Sequence, residues 1–131
     1  DGTFRFFGRD DDGQCRRAPE EGPSKAVQVS CGWFHSAVLF DDGTFHFFGD
    51  DGNGQCSLAP EEGPKKAVQV SCGGGHSAVR FDDGTFRFFG RDNYGQCRRA
   101  PEQGPKKAVQ VSCGGGHSAV RFDDGTFRFF G

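Results

Sequence analysis

Apolar and polar residues alternate in short stretches along this chain, and the alternation never lengthens into a helical stripe. From Ala26 to Cys31 the apolar positions are Ala26, Val27, Val29 and Cys31, with Gln28 and Ser30 between them. That rough two-residue rhythm predicts a strand, because successive strand side chains point to opposite faces. His35 to Phe40 reads as a second strand and Thr44 to Phe48 as a third. Between those two, the Asp42-Gly43 pair predicts a two-residue type I′ hairpin, whose central residues both need positive φ. Gly49 to Pro64 concentrates Gly, Asn, Asp and Pro and predicts a long loop with room for one short strand.

The pattern recurs. Asp-Gly-Thr-Phe begins at Asp1, Asp42, Asp83 and Asp124, a constant interval of 41 residues. The chain therefore reads as repeats 1–41, 42–82 and 83–123 plus a partial repeat, 124–131. The first and third repeats share 34 of 41 residues, as do the second and third. Each repeat is a meander of three or four antiparallel strands, and one meander cannot bury both its faces. Stacked radially, such units make an all-β propeller. Closed propellers have typically four to eight blades, so three are expected to belong to a longer parent ring or to a ring closed by a homo-oligomer. The longer parent ranks first, because the eight extra residues would duplicate a strand in an assembled ring.

Composition sharpens this picture. The chain has 131 residues, 22 of them Gly and 16 Phe, and only 34% are apolar. Dense Gly with low hydrophobicity suits disorder, but a disordered chain has no use for so many Phe. Fifteen of the Phe recur with the repeat, and Phe34 alone does not. No apolar run approaches a membrane span. A net charge of -2 supplies no basic field, so nucleic-acid binding is not expected.

The repeat resembles the RCC1 (regulator of chromosome condensation) family. The matching residues are Val-Gln-Val-Ser-Cys-Gly at 27–32, 68–73 and 109–114, and the Gly-x-x-His-Ser element that follows each of them. The Asp-Asp-Gly turns, the Phe-Gly pairs (Phe7-Gly8, Phe48-Gly49, Phe89-Gly90, Phe130-Gly131) and the Gly-Gln pairs (Gly13-Gln14, Gly54-Gln55, Gly95-Gln96) match as well. The family's usual Trp before that Gly is Phe here, and Cys follows Gly-Gln. The resemblance implies a propeller. Family roles run from guanine-nucleotide exchange to light sensing, ubiquitin-ligase accessory domains and β-lactamase inhibition, so it implies no single function.

Cys15, Cys31, Cys56, Cys72, Cys97 and Cys113 have no zinc-ligand spacing and read as buried free thiols, with Cys15–Cys31-type bridges the alternative. With no secretory signal in view, an intracellular setting is expected. His35, His76 and His117 recur with the repeat and read as structural residues that tie the Gly-rich turn to a neighbour. The acidic turns at 10–12 and 50–53 lack the Glu an EF-hand loop requires. No catalytic residue, metal or cofactor is expected.

What differs between the copies is more informative. Trp33-Phe34 replaces the Gly-Gly of the other two repeats, and Tyr94 and the pairs Arg16-Arg17 and Arg98-Arg99 fall in or beside the variable long loop. Trp, Tyr and Arg dominate binding hot spots. Trp33, Phe34, Arg16, Arg17, Tyr94, Arg98 and Arg99 are therefore the expected partner-binding residues. The competing reading has Trp33 and Phe34 capping the array or packing on a neighbouring chain. The expected function is a non-enzymatic scaffold that binds a protein partner through its loops. The alternative is a regulator of another protein's catalysis, either a guanine-nucleotide exchange factor or an enzyme inhibitor.

Overall fold

A computed structural model describes residues 1–61 and 65–131, so positions 62–64 of the expected long loop lie outside the described residues. Among the described residues nine strands form: β1 (Ala26–Cys31), β2 (His35–Phe40), β3 (Phe45–Gly49), β4 (Ala67–Cys72), β5 (His76–Phe81), β6 (Phe86–Gly90), β7 (Ala108–Cys113), β8 (Ser118–Phe122) and β9 (Phe127–Phe130). They make three antiparallel sheets of three strands each, β1-β2-β3, β4-β5-β6 and β7-β8-β9, here called blades one to three. Each blade takes its first two strands from one repeat and its third from the next. The long loop contributes no strand among the described residues. It coils instead through one turn, with Leu58 N donating to Gly54 O at 3.0 Å and Gly54 N to Asp51 O at 3.0 Å. No helix among the described residues is long and apolar enough to cross a membrane.

Two local expectations need correction. The hairpin turn is not type I′, because no non-glycine residue among the described residues has a positive φ, Asp42 included. Gly43 alone does, at +85°, and Phe40 N bonds Thr44 O at 2.9 Å while Gly43 N bonds Phe40 O at 3.0 Å. The loop is thus three residues, Asp41-Asp42-Gly43, a type I turn closed by a glycine bulge. The Asp42 carboxylate decides for this form by accepting from Thr44 N at 3.0 Å and Thr44 Oγ1 at 2.6 Å. Those bonds hold its pKa down to about 2. The second correction concerns β1. Its alternation is rough because the register against β2 shifts between Ala26 and Gln28, leaving Val27 as a bulge.

The core lies between blades. Ala37, Leu39 and Phe47 of blade one pack on Ala67, Val70, Cys72, Val79, Phe81 and Phe89 of blade two. Ala78, Phe86 and Phe88 of blade two meet Ala108, Val111, Val120, Phe122 and Phe130 of blade three in the same way. Phe rings meet edge-on across each seam, Phe47 on Phe89 at 5.2 Å and Phe88 on Phe130 at 5.0 Å between centroids. This is how a chain only one-third apolar buries much of its Phe: adjacent sheets cover each other's faces, and blade two is covered on both.

Polar stitches run along the same seams. Gln28 donates to Val70 O and accepts from Val70 N, both at 2.9 Å, and Gln69 does the same to Val111 at 3.0 Å. Ser30 Oγ accepts from Cys72 N at 3.0 Å, and Ser71 Oγ from Cys113 N at 3.1 Å. The first strand of each following blade thereby satisfies backbone groups its own sheet leaves unpaired. Gln69→Ala strands two such groups on the buried Val111. It is expected to cost about 2 kcal/mol, read from the urea midpoint.

Candidate functional site

The turns that join the first two strands of each blade, residues 32–34, 73–75 and 114–116, lie side by side. Trp33 N donates to Gly73 O at 3.2 Å and Gly74 N to Gly114 O at 3.0 Å. Glycine is required for this approach, since a Cβ on Gly32 would stand 2.3 Å from Gly73 O and one on Gly74 2.4 Å from Gly115 O. The turns form a flat, nearly side-chain-free ledge, and the two odd aromatics of blade one project onto it. Trp33 is 65% exposed, and its ring reaches past the second turn to the third, with Cζ2 3.0 Å from where a Gly115 Cβ would be. Phe34 meets it edge-on at 6.4 Å.

Tyr94, 57% exposed on the loop after β6, arrives at the same turn and lies against Gly116. Trp33 and Tyr94 thus bracket the third turn from two different blades. Two arginines that were not among the expected site residues complete the group. Arg9 sits over the Phe34 ring at 5.6 Å and Arg91 over the Tyr94 ring at 5.8 Å. Asp11 at 3.0 Å and Asn93 at 2.9 Å orient their guanidinium groups. The available signal was that the position varies between copies, reading Arg9, Asp50 and Arg91.

The arginine pairs are placed differently. Arg16 Nη1 reaches Asp10 O at 2.6 Å, and Arg98 Nη1 reaches Asp92 O at 2.5 Å, each beside its Asp carboxylate. Arg17 and Arg99 lay their stems along Gly13 and Gly95, the place Leu58 takes against Gly54 in the middle repeat. An aliphatic stem serves all three positions, which is why Leu replaces Arg there. Among the described residues no hydrogen bond, ion pair or cation–ring pair joins Arg16, Arg17, Arg98 or Arg99 to Trp33, Phe34 or Tyr94.

In each acidic turn one carboxylate braces the backbone of its own loop. Asp10 accepts from Cys15 N at 2.8 Å and Arg16 N at 3.0 Å, and these backbone bonds lower its pKa. Asp51 and Asp92 repeat the arrangement on Cys56-Ser57 and Cys97-Arg98. No cluster of His, Cys, Asp or Glu suited to a metal occurs among the described residues.

Each buried histidine ties its blade to the next by its side chain. His35 Nε2 bonds Ser77 Oγ at 2.7 Å, and His76 Nε2 bonds Ser118 Oγ at 2.8 Å. Because Ser77 gives its own proton to Gln55 O at 2.8 Å, the proton in the shared bond belongs to His35 Nε2. Nδ1 is buried without a partner in both rings. Burial first, and the neighbouring His76 second, bring the His35 pKa down to about 4; burial lowers that of His76 too. These are neutral hydrogen-bonding rings. The expected burial of the thiols is complete only for Cys72, while Cys31 is exposed and the other four are half-buried. Burial pushes the Cys56 and Cys97 thiols up to about 12, which leaves them poor nucleophiles.

Sheets stacked face to face and stitched at a constant interval are the blades of a β-propeller. Residues 26–55 and 67–96 each match the regulator of chromosome condensation (RCC1) repeat, so the chain carries RCC1 repeats, and its third copy differs little from the two that match. Human WBSCR16 is 23% identical at a TM-score of 0.72 over 83% of this chain and 35% of that one. The ectodomain of the Physcomitrella patens receptor kinase CR4 is 15% identical at 0.70, over 94% of this chain and 34% of its own. Prp20p from Saccharomyces cerevisiae, described with its binding to Gsp1p and histones, is 16% identical at 0.68 over 82% and 32%. The chain spans about a third of each of these structures, and the likeness is one of fold. No curated protein sequence matches the chain significantly.

Proposed function

We propose that this chain is a non-catalytic protein-binding module whose contact site is the glycine ledge with Trp33, Phe34 and Tyr94, flanked by Arg9 and Arg91. The observation that carries the reading is the convergence of Trp33 and Tyr94 on one turn of blade three, both rings largely exposed. The scaffold has no need of either ring, since the equivalent positions include Gly74 and Asn53. Rigid aromatics on a flat backbone surface, with arginines over their faces, suit a protein partner. Arg16, Arg17, Arg98 and Arg99 extend the contact along the loops. The fold shared with Prp20p, described as binding Gsp1p, supports a second reading in which the bound partner is an enzyme and the module regulates it.

The double variant Trp33→Gly, Phe34→Gly restores the residues of the other two repeats. Partners captured by the unaltered chain are expected to bind it at least tenfold more weakly, with little change in melting temperature. Unchanged binding would remove the ledge as the contact. A large drop in melting temperature would assign the two rings to the fold instead.

A further inference from the structure

Each turn of the ledge has a loop beside it. Arg9 of loop 9–17 lies over Phe34, Asn53 of loop 50–58 reaches Gly75, and Tyr94 of loop 91–99 lies against Gly116. The loops share one backbone course, since Asp10, Asp51 and Asp92 hold the same amides in each. Their charges do not agree. In loop 9–17 three arginines meet three aspartates, loop 50–58 has two aspartates and no cation, and in loop 91–99 three arginines meet Asp92 alone. The net charges are therefore 0, -2 and +2. This surface is open in the middle repeat as well: Asn53 and Leu58 are exposed although blade two is covered on both faces.

The third loop does not neutralise its own excess. Arg9 and Arg91 hold the same pose, each over an aromatic ring and each with Nε on the residue two positions on. Asp11 at 3.0 Å compensates the charge of Arg9, whereas Asn93 at 2.9 Å makes the same hydrogen bond to Arg91 and compensates nothing. Tyr94 stands where the first loop has Asp12, which removes a second carboxylate. Arg98 keeps Asp92 at 3.5 Å, and Arg99 has no ion pair among the described residues.

We propose that the segment bound on the ledge is an acidic stretch of a protein partner, with a carboxylate on the Arg91 guanidinium beside Tyr94. The proposal rests on the ledge being the contact site and adds the chemistry of what it takes. Trp33 Cζ2 and Tyr94 Cδ2 stand 3.0 and 3.1 Å from the Cβ positions of the consecutive Gly115 and Gly116, so the two rings flank a strip of bare backbone. A guanidinium whose face lies on a ring keeps its edge donors free for a carboxylate. Held already by the ring and by Asn93, Arg91 loses little freedom on pairing, the cost that usually makes surface ion pairs weak. A long polyanion such as a nucleic acid is a poorer fit. Laid across all three turns it would meet Asp50 and Asp51, and the whole chain carries -2.

Fluorescence anisotropy of rhodamine-labelled hexaglutamate, hexaglutamine and hexalysine peptides tests this on the full chain. Hexaglutamate is expected to bind about tenfold more tightly than hexaglutamine, and hexalysine more weakly than either. Raising salt from about 0.05 to about 0.5 M should erase most of that preference. Asn93→Asp copies the first loop and keeps the bond to Arg91, and circular dichroism melts check that it folds. It should weaken hexaglutamate binding about fivefold, as should Arg91→Gln. Arg87→Gln, exposed on β6 and outside the ledge, should not. Hexaglutamate that binds no better than hexaglutamine, or that ignores Asn93→Asp, would overturn the acidic partner and leave the ledge standing. A preference that responds to Asn93→Asp but survives Trp33→Gly, Phe34→Gly would overturn the proposal from the other side, by removing the ledge as the contact.

Discussion

Gly73→Ala is expected to lower the stability of the protein by about 3 kcal/mol or more, the range reached when a substitution forces strain into a packed interior. The added Cβ would lie 2.4 Å from Gly114 O, 2.7 Å from His76 Cε1 and 2.9 Å from Cys113 Cβ. None of these can move aside cheaply. The Gly114 carbonyl is pinned by Gly74 N at 3.0 Å, His76 is held by Ser118, and Cys113 sits on β7. The φ of Gly73 is not positive, so the cost arises from space between blades and not from backbone conformation. Gly104 provides the control, because nothing lies within 4 Å of its Cβ position and its φ is also ordinary. Gly104→Ala should fall within about 0.5 kcal/mol of the unaltered protein. Urea titration of the two variants side by side checks this, and equal midpoints would refute the close spacing of the turns.

Acid should weaken the fold well before the carboxylates titrate. An unfolded histidine takes its proton near pH 6.5, whereas folded His35 resists down to about 4. Between those values the unfolded chain binds more protons, so stability falls as pH falls. The contribution is fully present above pH 6.5 and is lost progressively toward pH 4, amounting to about 3 kcal/mol from His35. His76, lowered for the same reason, acts in the same direction. The aspartates add their loss only lower. Asp42 and Asp124 have folded pKa values of about 2, so their stabilisation disappears as pH falls from near 3.8 through 2. A denaturation midpoint that declines between pH 6.5 and 4.5, and declines less steeply in His35→Gln, is the expected result. A flat profile in that window would place both imidazoles in water.

Local structure was readable where short-range chemistry decides it. The alternation in Ala26–Cys31 and His35–Phe40 located β1 and β2 to the residue, and β3 differs by one residue at each end. The Asp-Asp-Gly turn was recognised but mistyped. Sequence shows that Gly43 tolerates positive φ, whereas only the bonds from Thr44 to Asp42 show that Asp42 does not adopt it. Trp33, Phe34 and Tyr94 stood out as departures from a repeat. Arg9 was not singled out, because setting it over Phe34 needs two loops to be adjacent, and loops after different strands have no fixed spacing in sequence; Arg91 lies three residues before Tyr94 in one loop, where only the folded loop shows the cation over the ring.

By itself the sequence determined the period, the strand positions and the composition of every blade, because strand alternation and turn chemistry depend on near neighbours in the chain. Only the tertiary structure decided which of several identical residues are buried. Val29, Val70 and Val111 occupy the same place in the same strand, yet one is open and two are sealed. His35, His76 and His117 divide likewise, two buried and one exposed. A blade is covered by the next blade and not by itself, so burial at its face depends on residues more than 40 positions away. That dependence is why repeats nearly the same in sequence differ in what they bury.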